Sequence, residues 1–166
     1  VAGLIPHARP LIDWLAREVE DAGVQVQLGV TDIEPASDEV TVQCTGAQAG
    51  TLPFPLIDGA VVVDVLDAWR AVFDGADAPW PDTGPIVLFD PIGGPIAVAL
   101  AEKLGARAVL VTQDNIAGNE LARTGDLAPA NTRLAQHGVT IERRTLLRAV
   151  RRDEVEVEDR YSGERR

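Results

Sequence analysis

Hydrophobic and polar residues follow two different spacings along the first half of the chain. Leu11, Leu15 and Val19 share one face of a helix predicted over residues 11–22, and Gly23 can end this helix in a left-handed conformation. A period of two then replaces the helical spacing and predicts short strands. The further predicted elements are strands at 24–28, 40–44 and 61–63, an extended segment at 52–55 and a helix at 65–73.

The second half of the chain begins after residues 75–84, where prolines, glycines and acids predict a crossing between domains. Residues 86–89 form a continuous apolar run, which is typical of a parallel strand buried on both faces. A glycine-bearing turn follows, then a helix that Pro95 can start and Gly105 can end, then an apolar strand at 106–112. This order predicts that the two strands are parallel neighbours in one sheet.

A loop, one more helix and three short strands complete the pattern. After a loop at 113–125, Asp126 is predicted to cap a helix that runs to Gln136 and stops at Gly138. The last strands are predicted at 139–142, 146–150 and 155–158, as a closing antiparallel β segment. The predicted fold class is α/β, with a Rossmann-like parallel sheet of the FAD/NAD(P)-binding type over 86–150 and a partial flanking α/β domain.

Composition and charge restrict the function. The formal charge of −11 would repel a phosphate backbone, and no apolar run approaches the length of a membrane span, so we expect neither nucleic acid nor membrane as a partner. Cys44 is the single cysteine, which excludes an internal disulfide and a cysteine-built metal site within this chain. No methionine occurs, even at position 1. We therefore expect a chain cut from a larger one, and, because no signal-peptide pattern occurs either, a cytoplasmic protein.

The turn at 90–95 is the candidate binding site, because glycines between a strand and a helix let a backbone approach a pyrophosphate. Gly93 and Gly94 are the candidate phosphate-binding residues, and Asp114, 20 positions after Gly94, is the candidate for the ribose hydroxyls. Aligning Gly93 with the middle glycine of G-x-G-x-x-G puts Pro91 and Ile96 at the other two positions. Two alternatives remain: an NAD(P) site, or a scaffold that has lost its ligand or holds only an ADP-like group.

Several short segments, in order along nearly the whole chain, carry a family resemblance. They are LIDWL at 11–15, GVQVQLG at 23–29, CTGA at 44–47, ELARTGDL at 120–127, RL at 133–134 and EDRYSG at 158–163. Together they resemble the C-terminal half of the trimethylamine dehydrogenase, histamine dehydrogenase and 2,4-dienoyl-CoA reductase group. These are long members of the old yellow enzyme superfamily.

The resemblance implies a domain map and a set of cofactors. Residues 1–83 would be the later, incomplete part of an FAD-type domain, and 84–166 an inserted NAD(P)-binding-like domain. Thr45 and Gly46, in the CTGA segment, become further candidates for cofactor binding. An FMN barrel and a [4Fe–4S] cluster would lie upstream, with FAD, ADP or NAD(P) as further candidates in the full-length protein. No cofactor is expected in this chain alone.

The same resemblance implies partners: the upstream FMN barrel of the same polypeptide, an electron-transferring flavoprotein and a second copy of the chain. The turn departs from the glycine-rich turn of the reductases and is closer to that of the amine dehydrogenases. We therefore weigh a nucleotide-domain fragment of an FMN/[4Fe–4S] oxidoreductase, without a complete catalytic site, against a non-catalytic structural or interaction module. A free-standing NAD(P)-dependent dehydrogenase is disfavoured, because no Tyr-x-x-x-Lys or paired His/Asp arrangement occurs.

Overall fold

A computed structural model of the protein describes residues 9–31, 38, 40–42, 44 and 50–166. Two short 3-10 turns, Gly105–Arg107 and Asn119–Thr124, accompany its helices and strands. The α-helices are α1 (Arg9–Asp21), α2 (Val65–Phe73), α3 (Pro95–Leu104) and α4 (Leu127–Gln136). The strands are β1 (Ile86–Asp90), β2 (Ala108–Thr112), β3 (Thr140–Glu142), β4 (Thr145–Val150) and β5 (Val155–Asp159).

The parallel sheet has the order β1-β2-β3, and β2 lies in its centre. Ile86 is opposite Ala108 at the start of the first pairing, and Val109 is opposite Thr140 in the second. The predicted parallel pairing of the first two strands is therefore confirmed. The second strand begins at Ala108 rather than at residue 106, because Gly105–Arg107 forms a 3-10 turn after α3.

The closing antiparallel segment is a hairpin of two strands, β4 and β5, with a register shift between Leu147 and Ala149. The prediction of three closing strands was wrong for residues 139–142, because β3 joins the parallel sheet. The helix α4 crosses over the sheet and returns the chain parallel to β2, as in a β–α–β unit. Arg144, with φ of 55°, then turns the chain out of this sheet and into the hairpin.

The parallel sheet has a hydrophobic core on each face. Leu88 packs against the core that α3 and α4 form with β2, while its neighbour Phe89 packs against Phe54 and the hairpin. Successive residues of a strand point to opposite faces, so β1 connects the two cores. The helix-side core consists of Val98, Ala101, Ala108, Leu110, Ala117, Leu121, Ala130 and Leu134. The result is a three-layer unit of helices, parallel sheet and β-hairpin.

Helix α2 forms over the predicted residues and packs on α3. Trp69 and Leu100 are each 2% exposed in one cluster, and the rings of Trp69 and Phe73 stack with centroids 3.8 Å apart. Asp64 caps the helix through a hydrogen bond from Leu66 N–H. Residues before position 84 thus share a core with residues after it. The division into domains at 83/84 stays a prediction.

The N-terminal part of the described chain behaves differently. Helix α1 forms near its predicted bounds but buries none of its residues, and Leu11, Leu15 and Val19 remain exposed. The predicted strands at 24–28 and 61–63 are wrong, and the described residues of 40–44 form no strand either. Alternation of apolar residues stabilises a strand only where a neighbouring strand takes its backbone hydrogen bonds. Among the helices that the structure describes, none is long and apolar enough to span a bilayer.

Candidate functional site

The candidate turn lies at the carboxyl end of β1, where open α/β sheets bind their ligands. Asp90 ends the strand, Gly93 has a φ of 75°, and Gly94 is the N-cap of α3. Gly93 occupies the left-handed region that favours glycine. Pro95 is the first residue of the helix, as predicted from its fixed φ and missing N–H.

Asp90 holds this turn from within. Its side chain is 4% exposed, and its Oδ1 accepts hydrogen bonds from Ile92 N–H (3.1 Å) and Gly93 N–H (2.9 Å). Its Oδ2 is buried and has no hydrogen-bond partner among the described residues. The glycines of the turn were the predicted binding residues. The side chain that bonds to the backbone of this turn, however, is the Asp90 carboxyl.

Burial raises the pKa of Asp90 above the ordinary value of 3.8, because the ionised form loses its hydration. The backbone N–H groups of Gly93, Ile92 and Gly94 act in the opposite direction. The nearby charge of Asp114 raises the pKa further. Desolvation is the largest of these effects, so the pKa of Asp90 is raised on balance.

Asp114 lies beside Gly93, so the structure brings together two of the predicted site residues. A Cβ atom on Gly93 would be 3.0 Å from Asp114 Oδ2 and 3.1 Å from the backbone N of Asn119. The Arg160 guanidinium approaches Asp114 Oδ1 to 3.8 Å and donates to Gln113 O at 3.1 Å. Thr45 and Gly46 lie outside the described residues, so their predicted role stays a prediction.

Two hydrogen bonds fasten the segment after β2 onto the turn. Gln113 Nε2 donates to Pro91 O at 2.6 Å, and Glu120 N–H donates to Gly93 O at 2.9 Å. Sequence reasoning missed these contacts, because residues 113–125 carry no periodic pattern and were predicted only as a loop. Gly93 has no side chain, so this segment can approach its backbone closely. Nothing in the sequence near the turn identifies Gln113 and Glu120 as the donors.

The turn does not fit a dinucleotide pyrophosphate, which needs several free N–H groups converging on it. Pro91 and Pro95 have no N–H, and those of Ile92 and Gly93 are already donated to Asp90. Residues 113–120 also cover Gly93 on one side. Two N–H groups of the turn are therefore bonded to a carboxyl group of the protein.

A depression of about 590 Å³ lies between α3 and α4. Its most buried cation, Arg133, is paired with Glu102 at 2.9 Å and with Asp126 at 3.0 Å. Asp126 occupies the predicted N-cap position of α4 but makes no capping hydrogen bond there; its carboxylate binds Arg133 instead. Across the described ranges, no cluster of three or more histidine, cysteine or acidic side chains could hold a metal.

The buried Asp90 predicts a pH-dependent effect of Asp90→Asn. A carboxyl whose folded pKa is raised binds more protons in the folded than in the unfolded chain, so wild-type stability falls as pH rises above about 3.8 through the raised pKa. Asparagine keeps the acceptor for Ile92 and Gly93 but cannot ionise. We expect the melting temperature of the variant to rise relative to wild type between pH 4 and pH 7, measured by circular dichroism.

Asp114→Asn is the control, since it removes a neighbouring acid beside the same turn and leaves the hydrogen bonds of Asp90 in place. A stability difference between wild type and Asp90→Asn that stays constant with pH would contradict the prediction.

Comparison with known proteins finds similar structures but no family model and no curated protein that matches. The structure is similar to histamine dehydrogenase from Rhizobium sp. 4-9, with a TM-score of 0.59 and 22% identity over 70% of this chain and 18% of that chain. It is also similar to 6-hydroxypseudooxynicotine amine oxidase (HisD) from Pseudomonas geniculata N1, with a TM-score of 0.53 and 17% identity over 61% of this chain and 15% of that chain. At these identities the likeness shows a shared fold, in a chain that spans less than a fifth of either enzyme.

Proposed function

We propose that this chain is a nucleotide-fold domain of an amine-oxidising oxidoreductase, that it has no complete catalytic site, and that its nucleotide site is vestigial. The observation that carries the proposal is the structural match to two enzymes named for amine oxidation, each covered over less than a fifth of its length. The ordered motifs that resemble the trimethylamine and histamine dehydrogenase group support the same assignment.

The architecture supports a Rossmann-like identity for residues 84–166. A parallel sheet in the order β1-β2-β3 is compatible with one half of such a fold, and the hairpin of β4 and β5 covers the face opposite α3 and α4. Residues 1–83 would be the later part of an FAD-type domain. The exposed apolar residues of α1 are compatible with that proposal, because an incomplete domain leaves such a face uncovered.

The resemblance assigns the redox chemistry to FMN and a [4Fe–4S] cluster in upstream domains. In the amine dehydrogenases of that group, electrons leave through the cluster to a flavoprotein acceptor. This chain cannot build the cluster itself, because Cys44 is its single cysteine. Its own contribution would be structural: docking against the FMN barrel, against an electron-transferring flavoprotein or against a second copy.

The occupied turn favours this structural role over delivery of electrons from NADPH. A reductase must bind the nicotinamide dinucleotide, and the turn has donated two of its N–H groups to Asp90. An ADP-like group remains the alternative ligand, since the N-terminus of α3 keeps its dipole.

The test is to measure what the purified chain binds. We expect no flavin absorption, no amine turnover, and no micromolar binding of NADH or NADPH by calorimetry. The control is the protein expressed from its complete reading frame, which should encode a barrel with four clustered cysteines and should show flavin and cluster absorption. A stoichiometric yellow chromophore in the chain alone, or micromolar NADPH binding abolished by Gly93→Val, would contradict the proposal.

A further inference from the structure

Asp90 is the one described polar side chain that combines near-complete burial with an oxygen lacking any described partner. It ends β1 directly below the N-terminus of α3, which begins five residues later at Pro95. A buried carboxyl in an α/β unit normally needs its oxygens satisfied, because an unmet hydrogen bond costs free energy.

The donors that Asp90 uses are those on which a phosphate would depend. In a strand–turn–helix phosphate site, the free N–H groups of the turn and the helix dipole hold the anion. Here Ile92 and Gly93 donate to Asp90 Oδ1 at 3.1 and 2.9 Å, and the backbone N–H of Gly94 acts on the same carboxyl. The carboxyl group thus satisfies the turn as a bound anion would.

The segment after β2 holds the backbone of the turn in place. Asp114 Oδ2 and the backbone N of Asn119 lie 3.0 and 3.1 Å from where a Cβ of Gly93 would be. Gln113 Nε2 and Glu120 N–H bind the carbonyl groups of Pro91 and Gly93. An incoming phosphate would have to displace Asp90 and pass close to a second acid.

We infer that Asp90 determines the ligand specificity of this turn: its side chain occupies the backbone donors and so excludes phosphate, whether inorganic or carried by a nucleotide. The inference rests on the proposed vestigial site and names the residue that closes it. Pro91 and Pro95 would weaken a phosphate site because they have no N–H group to donate. Asp90 goes further, because it already accepts the hydrogen bonds of Ile92 and Gly93.

The test compares Asp90→Ala with Asp90→Asn in the full chain, by ¹H–¹⁵N NMR titration with inorganic phosphate and, separately, with ADP. Asp90→Ala frees two donors, and a hydrogen bond to a charged group is worth roughly tenfold or more in affinity. We expect at least about tenfold tighter phosphate binding than in wild type, with shifts at Ile92, Gly93 and Gly94. Asp90→Asn keeps the acceptor and should gain nothing. If Asp90→Ala bound ADP but not inorganic phosphate, the protein would be recognising the nucleoside rather than the phosphate, and this result would contradict the inference.

A third variant, Asp114→Asn, distinguishes charge repulsion from the occupation of the backbone donors by Asp90. It removes a neighbouring negative charge and leaves the hydrogen bonds of Asp90 unchanged. If it or Asp90→Asn gains phosphate affinity as strongly as Asp90→Ala, charge repulsion rather than occupancy excludes the anion, and the inference is overturned. A folded Asp90→Ala variant that gains none overturns it as well.

A second measurement does not depend on the stability of Asp90→Ala. In wild type, the amide protons of Ile92 and Gly93 should exchange slowly with solvent, although both residues lie in a turn. Rapid exchange of both amides would show that Asp90 does not hold them. The phosphate titrations test only the role of Asp90. Binding of flavin or NADPH by the wild-type chain would instead contradict the proposed function, so the two failures can be distinguished.

Discussion

Replacing Leu134 by alanine is expected to lower the free energy of unfolding by about 2–5 kcal/mol. Leu134 lies on α4, is fully buried, and packs in the core between the helices and the parallel sheet. The substitution removes apolar contacts and leaves a cavity that rigid neighbours such as Leu110 and Ala101 cannot fill. Chemical denaturation followed by circular dichroism measures the loss.

Leu15→Ala is the matched control for this substitution. Leu15 is also a helical leucine, but it is 44% exposed on α1, which buries none of its residues. Alanine favours a helix, so the expected change is within about 0.5 kcal/mol. A loss as large as that of Leu134→Ala would mean that α1 is packed in solution against something else, and would contradict the exposed position described here.

Replacing Gly93 by alanine is expected to destabilise the chain through two effects. Its φ of 75° costs a residue with a Cβ about 1–2 kcal/mol. The added Cβ would also lie 3.1 Å from the backbone N of Asn119, and such crowding costs about 1–3 kcal/mol where the neighbour cannot move. The Glu120 hydrogen bond to Gly93 O opposes movement of that backbone. Denaturation curves at neutral pH measure the sum.

Gly125→Ala separates the two effects. Gly125 has nearly the same φ, 77°, but a Cβ there would meet nothing within 4 Å. Only the conformational cost should remain, so this variant should lose less stability than Gly93→Ala. Equal losses of stability in the two variants would show that Asp114 and Asn119 do not crowd a Cβ at position 93.

The hydrogen bonds of Asp90 and the two hydrophobic cores stabilise the turn and the sheet from within the chain. The helix-side core includes Leu110, and the hairpin core on the other face of the sheet includes Leu147. Asp90 meanwhile satisfies the N–H groups that a nucleotide would otherwise cap.

Local sequence was sufficient for the elements whose signals are local. The spacing of Leu11, Leu15 and Val19 predicted α1, Gly105 ended α3, and the apolar run that begins at Ile86 predicted a parallel strand. These signals work because helix periodicity, left-handed glycines and continuous apolar strands depend on neighbours within a few residues. The parallel pairing of β1 and β2 followed from the short connection between them.

The tertiary structure decided whatever depends on partners distant in sequence. Residues 24–28 alternate like a strand but form none, and Thr140 pairs with Val109 of the parallel sheet rather than with the hairpin. A strand exists only where another strand accepts its hydrogen bonds, and three residues carry too little pattern to specify which one. Asp126 likewise stands at a cap position, yet Arg133 takes its carboxylate.

The candidate site divides in the same way. Sequence by itself placed Gly93 and Gly94 at a strand–helix turn and predicted that Pro91, which has no N–H, weakens phosphate binding there. Only the fold brought Asp114 and Asn119 against Gly93, across more than twenty residues of chain. Only the fold, too, buried the Asp90 carboxyl against the donors of the turn, because burial depends on the layers packed around β1 rather than on the residues beside it.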